Sequence, residues 1–196
     1  ANWGADALLV HHGFFWRNEN APIVGIKKHR IAKLLQHDMS LLAYHLPLDA
    51  HESLGNNAEL ARLMGWQLSA RYGDNNLLSV GELNSSKALA ALAAQLSSTL
   101  QREAQVMLGD GREIKRVAWC TGGAQGYFEQ AIAHGVDAYI TGEISEQNFH
   151  LATETGVAFI AAGHHATEQF GIQALGAHLA EKFELTHQFF NQAIPV

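Results

Sequence analysis

The feature that most constrains the fold is a regular alternation of strands, turns and helices in the C-terminal part of the chain. Apolar runs at 117–120, 138–140 and 157–161 are each followed by a glycine-containing turn and then by a segment with helical spacing. Three strand–turn–helix units in succession are typical of an α/β sheet with parallel pairing. The sequence therefore predicts an α/β fold, with helices over 127–134, 147–155 and 167–183.

The rest of the chain predicts further elements with less regular spacing. Gly65 marks the end of one helix, and Ser85 or Ser86 is a candidate cap for another. We treat 1–196 as a single unit in which 66–114 is the least distinctive segment. The additional predicted elements are strands at 6–10, 40–46 and 186–191, and helices at 28–36, 57–64 and about 86–100.

Composition excludes several classes of protein. The formal net charge is −6, and lysine and arginine form no cluster of the kind that binds nucleic acid. No apolar run approaches the roughly 18 residues of a membrane-spanning helix. Cys120 is the one cysteine, which rules out a disulfide within the chain and favours a cytoplasmic protein. We expect Cys120 to be a buried packing residue.

Histidine is unusually frequent, with 12 residues against 13 lysines and arginines together. Imidazole is the commonest metal ligand in proteins. In α/β sheets, binding sites form where strands end and helices begin. The question is therefore which histidines stand beside carboxylates at such ends.

Two adjacent histidines, His11 and His12, follow the first predicted strand and precede Gly13. Neighbouring strand residues point to opposite faces, but a turn at glycine lets both imidazoles approach one site. The alternative, a buried histidine beside an exposed one, is about as well supported by this motif alone.

His45 and Asp49 flank Pro47 near the end of the second predicted strand, which places Asp49 in the loop that follows. A carboxylate there is a candidate metal ligand, although an ordinary turn or capping aspartate is the better reading of Asp49 alone. His45 is a candidate ligand or a partner that supports one.

His164 and Glu168 follow the third strand of the α/β pattern and are four residues apart. This spacing places them on one face of the first turn of a helix. The alternative role for Glu168 is a favourable interaction with the helix dipole. Glu143 ends the preceding strand and can face the same cleft. The glycine-rich stretch 122–126 lacks a phosphate-binding motif and predicts a tight turn.

Together these motifs supply three imidazoles and two carboxylates at predicted strand ends. Such a set suits two divalent ions about 3.5–4 Å apart that share a carboxylate. The absence of a thiolate argues against a structural zinc site. A mixed nitrogen and oxygen set suits Zn²⁺, Mn²⁺, Fe or Ni²⁺. The predicted ligands are His11, His12, Asp49, His164 and Glu168.

The same motifs carry a family resemblance over nearly the whole chain. The stretches at 10–16, 44–61, 117–147 and 161–172, which include HHG, HLPLD and GHHATE, resemble the Nif-three-like family. Its bacterial members are catalogued as type 2 homologues of GTP cyclohydrolase I. The resemblance implies a dinuclear centre on the five residues, with Glu168 bridging and His45 close to the metals.

The resemblance also implies an architecture. It predicts mixed sheets flanked by helices in two interleaved lobes, assembled as a ring-shaped homohexamer with the metals facing inward. Members of the family carry about fifty further residues at the N-terminus. Because a strand is predicted so close to Ala1, we expect sequence upstream of this chain.

Two hypotheses follow for function. The first is a metal-dependent hydrolase of a nucleotide or small heterocycle, similar to type 2 GTP cyclohydrolases. In it His165, His45 or Glu143 would carry protons, and 121–125 would contact the substrate. The second is a metal-stabilised hexameric scaffold or regulatory protein without catalysis.

Overall fold

The computed structural model describes residues 2–192 and 194–195, which form eight strands and seven α-helices. None of these helices combines the length and the apolar character that a bilayer crossing requires. Short 3-10 turns lie at Asp74–Asn76 and Gln125–Tyr127. The elements are β1 (Ala7–Val10), α1 (Gly25–Gln36), β2 (Ser40–Ala43), α2 (Leu46–Ala50), α3 (Asn56–Met64), β3 (Gln67–Tyr72), β4 (Leu78–Lys87), α4 (Leu89–Leu100), β5 (Gln105–Met107), β6 (Ile114–Trp119), α5 (Phe128–Ala133), β7 (Ala138–Thr141), α6 (Glu146–Thr155), β8 (Ala158–Ala161) and α7 (His164–Phe183).

The main sheet has six strands in the order β3-β4-β6-β7-β8-β5. Its central strands β6, β7 and β8 are parallel, with Trp119 beside Ile140 and Ile140 beside Ile160. The outer strands β3, β4 and β5 join them in antiparallel pairs. The predicted mixed α/β fold is confirmed, as is the parallel pairing of the three regular units.

The two faces of this sheet are covered by different helices. Val117 and Trp119 of β6 point into a core shared with α3, α4 and α7. Ala118 and Cys120 point to the opposite face and a second core shared with α5 and α6. Alternate strand residues point to opposite faces, so a strand covered on both sides has to be apolar throughout. This explains the continuous apolar runs at 117–120, 138–140 and 157–161.

A second, smaller sheet consists of β1 and β2, which run parallel with Val10 beside Ala43. The connection between them is α1, as a parallel pair requires. No residue of α1 is fully buried. This β1–α1–β2 unit brings the ends of β1 and β2 together, and β1 also lies close to α7.

The boundaries of secondary-structure elements differ from the prediction at two places that matter for the site. β2 ends at Ala43, and Asp49 lies in the short helix α2, where the sequence predicted a loop. Pro47 is compatible with this helix because it occupies the first turn, where no backbone N–H is needed. α7 begins at His164, earlier than the predicted Thr167, so the histidine is itself in the first turn.

In the middle segment the helix predicted at about 86–100 is present as α4, but its predicted cap is wrong. Ser85 and Ser86 do not cap α4; they lie in β4, and the helix begins at Leu89 without a side-chain cap. β3 and β4 pair as an antiparallel hairpin across a turn in which Asn75 and Asn76 have positive φ. Asparagine tolerates this left-handed backbone, which lets the chain reverse there.

The predicted edge strand at 186–191 is also wrong, because this stretch contains no strand. A strand needs the backbone of a neighbour, whereas this segment rests on side chains and on α7. His187 lies directly over Gly176, where a Cβ would come within 2.2 Å of its Nε2. Phe190 packs edge-on against Trp3 with ring centroids 5.9 Å apart.

Candidate metal centre

Both adjacent histidines turn their rings towards one carboxylate at the end of β1. His11 is buried, and its Nδ1 lies 2.9 Å from the carbonyl oxygen of Tyr44. With Nδ1–H donating to that carbonyl, Nε2 is directed at Glu168 Oε2, 3.6 Å away. His12 is far more exposed, yet its Nε2 lies 3.2 Å from the same oxygen. The pair is thus a buried histidine beside an exposed one, but both face one site.

Gly13 allows the chain to turn after these histidines. A Cβ at Gly13 would lie 2.9 Å from the Cβ of Ala43 in β2, closer than such atoms normally approach. The end of β1 can therefore pass tightly against β2. This places His11 and His12 beside the start of α2.

Asp49 is oriented by two asparagines at the start of α3. Asn56 Nδ2 donates to Asp49 Oδ1 at 2.7 Å, and Asn57 Nδ2 donates to the backbone carbonyl of Asp49 at 3.3 Å. The other carboxylate oxygen, Oδ2, faces His11 Nε2 at 3.4 Å. One oxygen of Asp49 is thus held by the protein, and the other is available at the site.

Helix α7 contributes the remaining two predicted ligands. His164 Nε2 and Glu168 Oε2 are 2.9 Å apart across one helical turn. Thr167 fixes this turn, because its hydroxyl contacts the Gly163 carbonyl at 2.9 Å and accepts a bond from the Gly122 amide at 3.0 Å. The first turn of α7 is therefore tied to the loop after β6.

Gly122 forms the wall opposite Glu168. Its φ is +72°, and a Cβ would lie 1.8 Å from Glu168 Oε1. Both the left-handed backbone and the close approach require glycine. The predicted tight turn is therefore present, and it brings the backbone against the carboxylate.

The ligand atoms group into overlapping triads within the described residues. Two of the triads share Glu168, and each has all its atoms within 4.8 Å of one another. Nε2 of His11, Nε2 of His164 and Oε2 of Glu168 are buried, and no described residue meets hydrogen-bond geometry with them. Buried polar atoms without such a partner are costly unless a ligand satisfies them. The triads are His11, Asp49 and Glu168; His12, His164 and Glu168; and His11, His12 and His45.

The charges at the site shift the pKa values of its members strongly. Burial lowers the pKa of His11, but the carboxylates of Asp49 and Glu168 outweigh it and raise that pKa to about 10. Glu168, and then Glu143, raise the pKa of His164 to about 9 against the effect of burial. Although burial opposes it, the facing imidazoles hold the pKa of Glu168 far below its usual range. With these pKa values raised, binding of a metal ion at His11 or His164 near neutral pH would be coupled to the loss of a proton.

The three predicted proton carriers lie in different positions. His45 is half-buried, with its ring centroid 5.1 Å from those of His11 and His12. Burial, and then the charges of the other histidines, lower its pKa. Glu143 contacts His164 directly, whereas His165 Nε2 contacts Asn191 at 3.3 Å and belongs to none of the triads.

Cys120 is buried close to the site and is absent from every triad. Burial first, and then the charges of Asp49 and Glu168, raise the pKa of its thiol to about 12. A thiol with this pKa stays protonated at neutral pH and is a poor ligand or nucleophile. Cys120 is a packing residue, as predicted.

Sequence analysis missed the residues that hold the site in place. Asn56 and Asn57 sit at the start of α3, where a polar residue has no need of a special explanation. Thr167 and Gly122 lie inside motifs that were recognised, but their contact joins segments 45 residues apart. Nothing in the local sequence distinguishes these residues, because the burial of Asn56 and Asn57 is visible only in the folded chain.

A cavity of about 560 Å³ adjoins the five predicted ligands, which we call the cluster. It lies between β1, the first turns of α7 and the segment at 186–190, and four of the predicted ligands line it. Its remaining walls are mainly apolar, including Leu8, Ile172 and Phe190. A ligand in this cavity would contact both polar and apolar groups.

Comparisons with known proteins cover the whole of this architecture. The family model described as Duf34/NIF3 (NGG1p interacting factor 3) matches residues 1–195. A "GTP cyclohydrolase 1 type 2 homolog" of Neisseria meningitidis serogroup B is 56% identical over 191 residues, which are 97% of this chain and 77% of that protein.

Two solved structures are also similar. The protein ybgI, described as being of unknown function, matches with a TM-score of 0.96 and 44% identity over 100% of this chain and 78% of its own. The protein TTHA1606 from Thermus thermophilus matches with a TM-score of 0.89 and 34% identity, again over 100% of this chain and 78% of its own. The sheet and the residues of the cluster both lie within the matched regions.

Proposed function

The chain belongs to the Duf34/NIF3 family, and we propose that it binds two divalent metal ions and hydrolyses a nucleotide or small heterocycle. The ligands in this proposal are the five residues predicted from the sequence. Glu168 is the carboxylate shared between the two ions. The substrate class rests on the printed name of the relatives, "GTP cyclohydrolase 1 type 2 homolog".

One observation carries the metal part of the proposal: two ligand triads that share Glu168. A dinuclear site needs a bridging oxygen and separate terminal ligands for each ion. His11 and Asp49 form one triad with Glu168, and His12 and His164 form the other. The donor atoms are nitrogen and oxygen, which suits Zn²⁺, Mn²⁺, Fe or Ni²⁺.

The buried atoms support the same assignment. Nε2 of His11 and of His164 face Oε2 of Glu168 without hydrogen-bond geometry among the described residues. Cations between these atoms would satisfy them together and would remove the like-charge repulsion between protonated imidazoles.

The chemistry of the proposal divides between the ions and the side chains. Two bound divalent ions would supply positive charge that polarises a substrate oxygen and makes a water molecule more acidic. His45 lies beside two of the predicted ligands and is the proton acceptor best placed among the histidines outside that set. Gly122 lies against Glu168 and Gly123 lies against Glu143, and the stretch 121–125 is the proposed contact for substrate.

The test combines metal content with turnover. Elemental analysis and anomalous scattering from unsoaked crystals should give two metal positions flanking Glu168. Glu168→Gln should lose both, whereas Glu181→Gln, an exposed carboxylate on the same helix, should retain them. The metal-loaded protein should hydrolyse GTP or another member of a panel of nucleotides and cyclic amides. Absence of turnover across the whole panel would rule out the hydrolytic part.

A second candidate function is a metal-stabilised homohexamer that acts as a scaffold or regulator. The observation that favours it is a group of large apolar side chains exposed on the β1–α1–β2 unit and the loop before α1. Such groups often mark protein interfaces. These side chains are Phe15, Trp16, Ile23, Val24, Ile26 and Leu35.

Light scattering with and without a chelator separates the two candidates. A scaffold held by metal should dissociate when metal is removed, and Glu168→Ala should have the same effect. A hexamer that survives metal removal unchanged would leave the scaffold idea without its main support.

A further inference from the structure

Glu143 and His164 make the shortest described contact between a predicted ligand and a residue outside the ligand set. His164 Nδ1 lies 2.6 Å from Glu143 Oε1, while Nε2 of the same ring faces Glu168. Each ring nitrogen thus faces a carboxylate, although only Nδ1 meets hydrogen-bond geometry among the described residues. With Nδ1–H donating to the Glu143 carboxylate, Nε2 is the nitrogen left to face the cluster.

The Glu143 carboxylate is held in turn by Gln125. Gln125 Nε2 donates to Glu143 Oε2 at 3.2 Å, so each carboxylate oxygen has a partner. The backbone of Gln125 is fixed as well, because its carbonyl accepts a bond from buried Asn148 at 3.0 Å. Asn148 also closes the capping box at Ser145, the start of the helix that follows Glu143.

His11 has a different kind of partner. Its Nδ1 faces the neutral carbonyl of Tyr44, whereas His164 has a charged carboxylate. A carboxylate behind a metal-binding imidazole orients the ring and makes its other nitrogen a stronger donor to the metal. The two histidines should therefore differ in how strongly they depend on the residue behind them.

We propose that Glu143, held by Gln125, is a positioning residue that orients His164 and strengthens its Nε2 as a metal ligand. Glu143 reaches the site through His164 and does not itself carry a proton to substrate. The inference rests on the proposed function in that it takes His164 as a ligand. The bonds around Glu143 are made by residues of this chain alone, so they can be tested in metal-free protein.

The first experiment measures Co²⁺ binding by titration and by visible absorption. Glu143→Ala should lower the affinity about 10- to 100-fold and change the Co²⁺ spectrum. Glu143→Gln should lose less, because its amide oxygen can still accept the bond from Nδ1. Glu146→Gln, an exposed carboxylate three residues further along, is the matched control and should bind like the parent protein. Equal affinity and an equal spectrum for Glu143→Ala would overturn the proposal.

The second experiment needs no metal. In metal-free protein, the Nδ1 proton of His164 should give a downfield, slowly exchanging nuclear magnetic resonance signal. Glu143→Gln should shift this signal upfield, and Gln125→Ala should shift it in the same direction by less. If the signal is present but the parent protein binds no Co²⁺, the dinuclear function fails while the orientation of His164 stands. If the signal is absent, the positioning role of Glu143 fails.

Discussion

β7 and β2 are both strands of four residues, yet they lie in very different surroundings. All four residues of β7 are buried, between parallel neighbours and beneath helices on both faces. In β2 no residue is fully buried, and β1 is its one partner among the described strands. Each of the two strands is followed in the sequence by residues of the candidate metal centre. The comparison shows that the two halves of the site are held by packing of very different strength.

The predicted ligands fall into two groups, which differ in how firmly the fold holds them. Asp49 is held by a buried hydrogen bond from Asn56 of α3. The part of α7 that carries His164 and Glu168 is held by buried bonds of Thr167 to the loop after β6 and of Gly171 to α3. His11 and His12 follow the small sheet, whose crossover helix has no buried residue. We infer that the main sheet presents a preformed half-site and that metal ions fix the other half against it.

The largest expected contrast is in hydrogen exchange of the metal-free protein. Amides of β7 should open only with global unfolding, at roughly 5–15 kcal/mol, whereas those of β2 should open at a small fraction of that. Addition of Zn²⁺ should protect β1 and β2 far more than β7. Exchange measured by mass spectrometry, with equal protection of β2 and β7 before metal is added, would contradict the comparison.

Truncation in the main core should have the next largest effect. Phe159 is fully buried, with its ring 5.0 Å from that of Phe128 and 5.6 Å from that of Tyr139. Phe159→Ala should lower the free energy of unfolding by about 3–5 kcal/mol, measured by urea denaturation. The control is Ile26→Ala on exposed α1, which should stay within about 0.5 kcal/mol. Similar losses for the two variants would erase the distinction between the regions.

Asn56 connects the preformed half-site to the fold. Its Nδ2 donates to Asp49 Oδ1 at 2.7 Å, and its Oδ1 accepts from the Gly171 amide of α7 at 2.8 Å. Asn56→Ala leaves two buried groups unpaired and should cost about 1–3 kcal/mol of unfolding free energy, with weaker metal binding. Exposed Asn20→Ala is the comparison. Unchanged metal affinity in Asn56→Ala would show that Asp49 needs no such support.

The smallest expected change comes from pH. The pKa values of His11 and His164 are raised to about 10 and about 9, above those of the unfolded chain. Their contribution to metal-free stability is complete below about pH 6.5 and is lost as pH rises towards 10. Over one pH unit the loss is at most about 1.4 kcal/mol per group, less for partly exposed His164.

Thermal unfolding at pH 7 and pH 8 measures this effect. Saturating Zn²⁺ should remove the pH dependence, because ligated imidazoles carry no proton at Nε2. Metal affinity itself should rise over the same interval. A metal-free protein that gains stability between pH 7 and pH 8 would contradict the assignment of the raised pKa values.

The strands that could be predicted from sequence are those whose surroundings are uniform. β7, β8 and the second half of β6 are buried on both faces, so apolar runs mark them in the sequence without any knowledge of the partner strand. The strands β3 and β4 were not predicted. The polar end of β4, at Ser85 and Ser86, resembles the start of a helix. Their pairing depends on a turn and on β6, both outside the local pattern.

The grouping of the five candidate ligands could be predicted because each is a distinctive residue type near a strand end. Their support could not, since it comes from contacts between distant parts of the chain. Trp119 Nε1 donates to the Asn57 carbonyl over 62 positions of sequence, and Gly171 donates to Asn56 over 115. A single sequence shows the chemical groups, whereas the distances between them emerge only from the packed fold.

The double role of Asn56 has a consequence for the energetics of ion capture. One amide group fixes both the Asp49 carboxylate and the backbone of α7 three residues beyond Glu168. The conformational entropy of bringing these two carboxylates together is therefore lost when the chain folds, before any ion arrives. An ion that binds as proposed would then have to order only the histidines after β1. Preorganisation of the acidic half would let affinity be adjusted through the β1–α1–β2 unit without disturbing the main sheet.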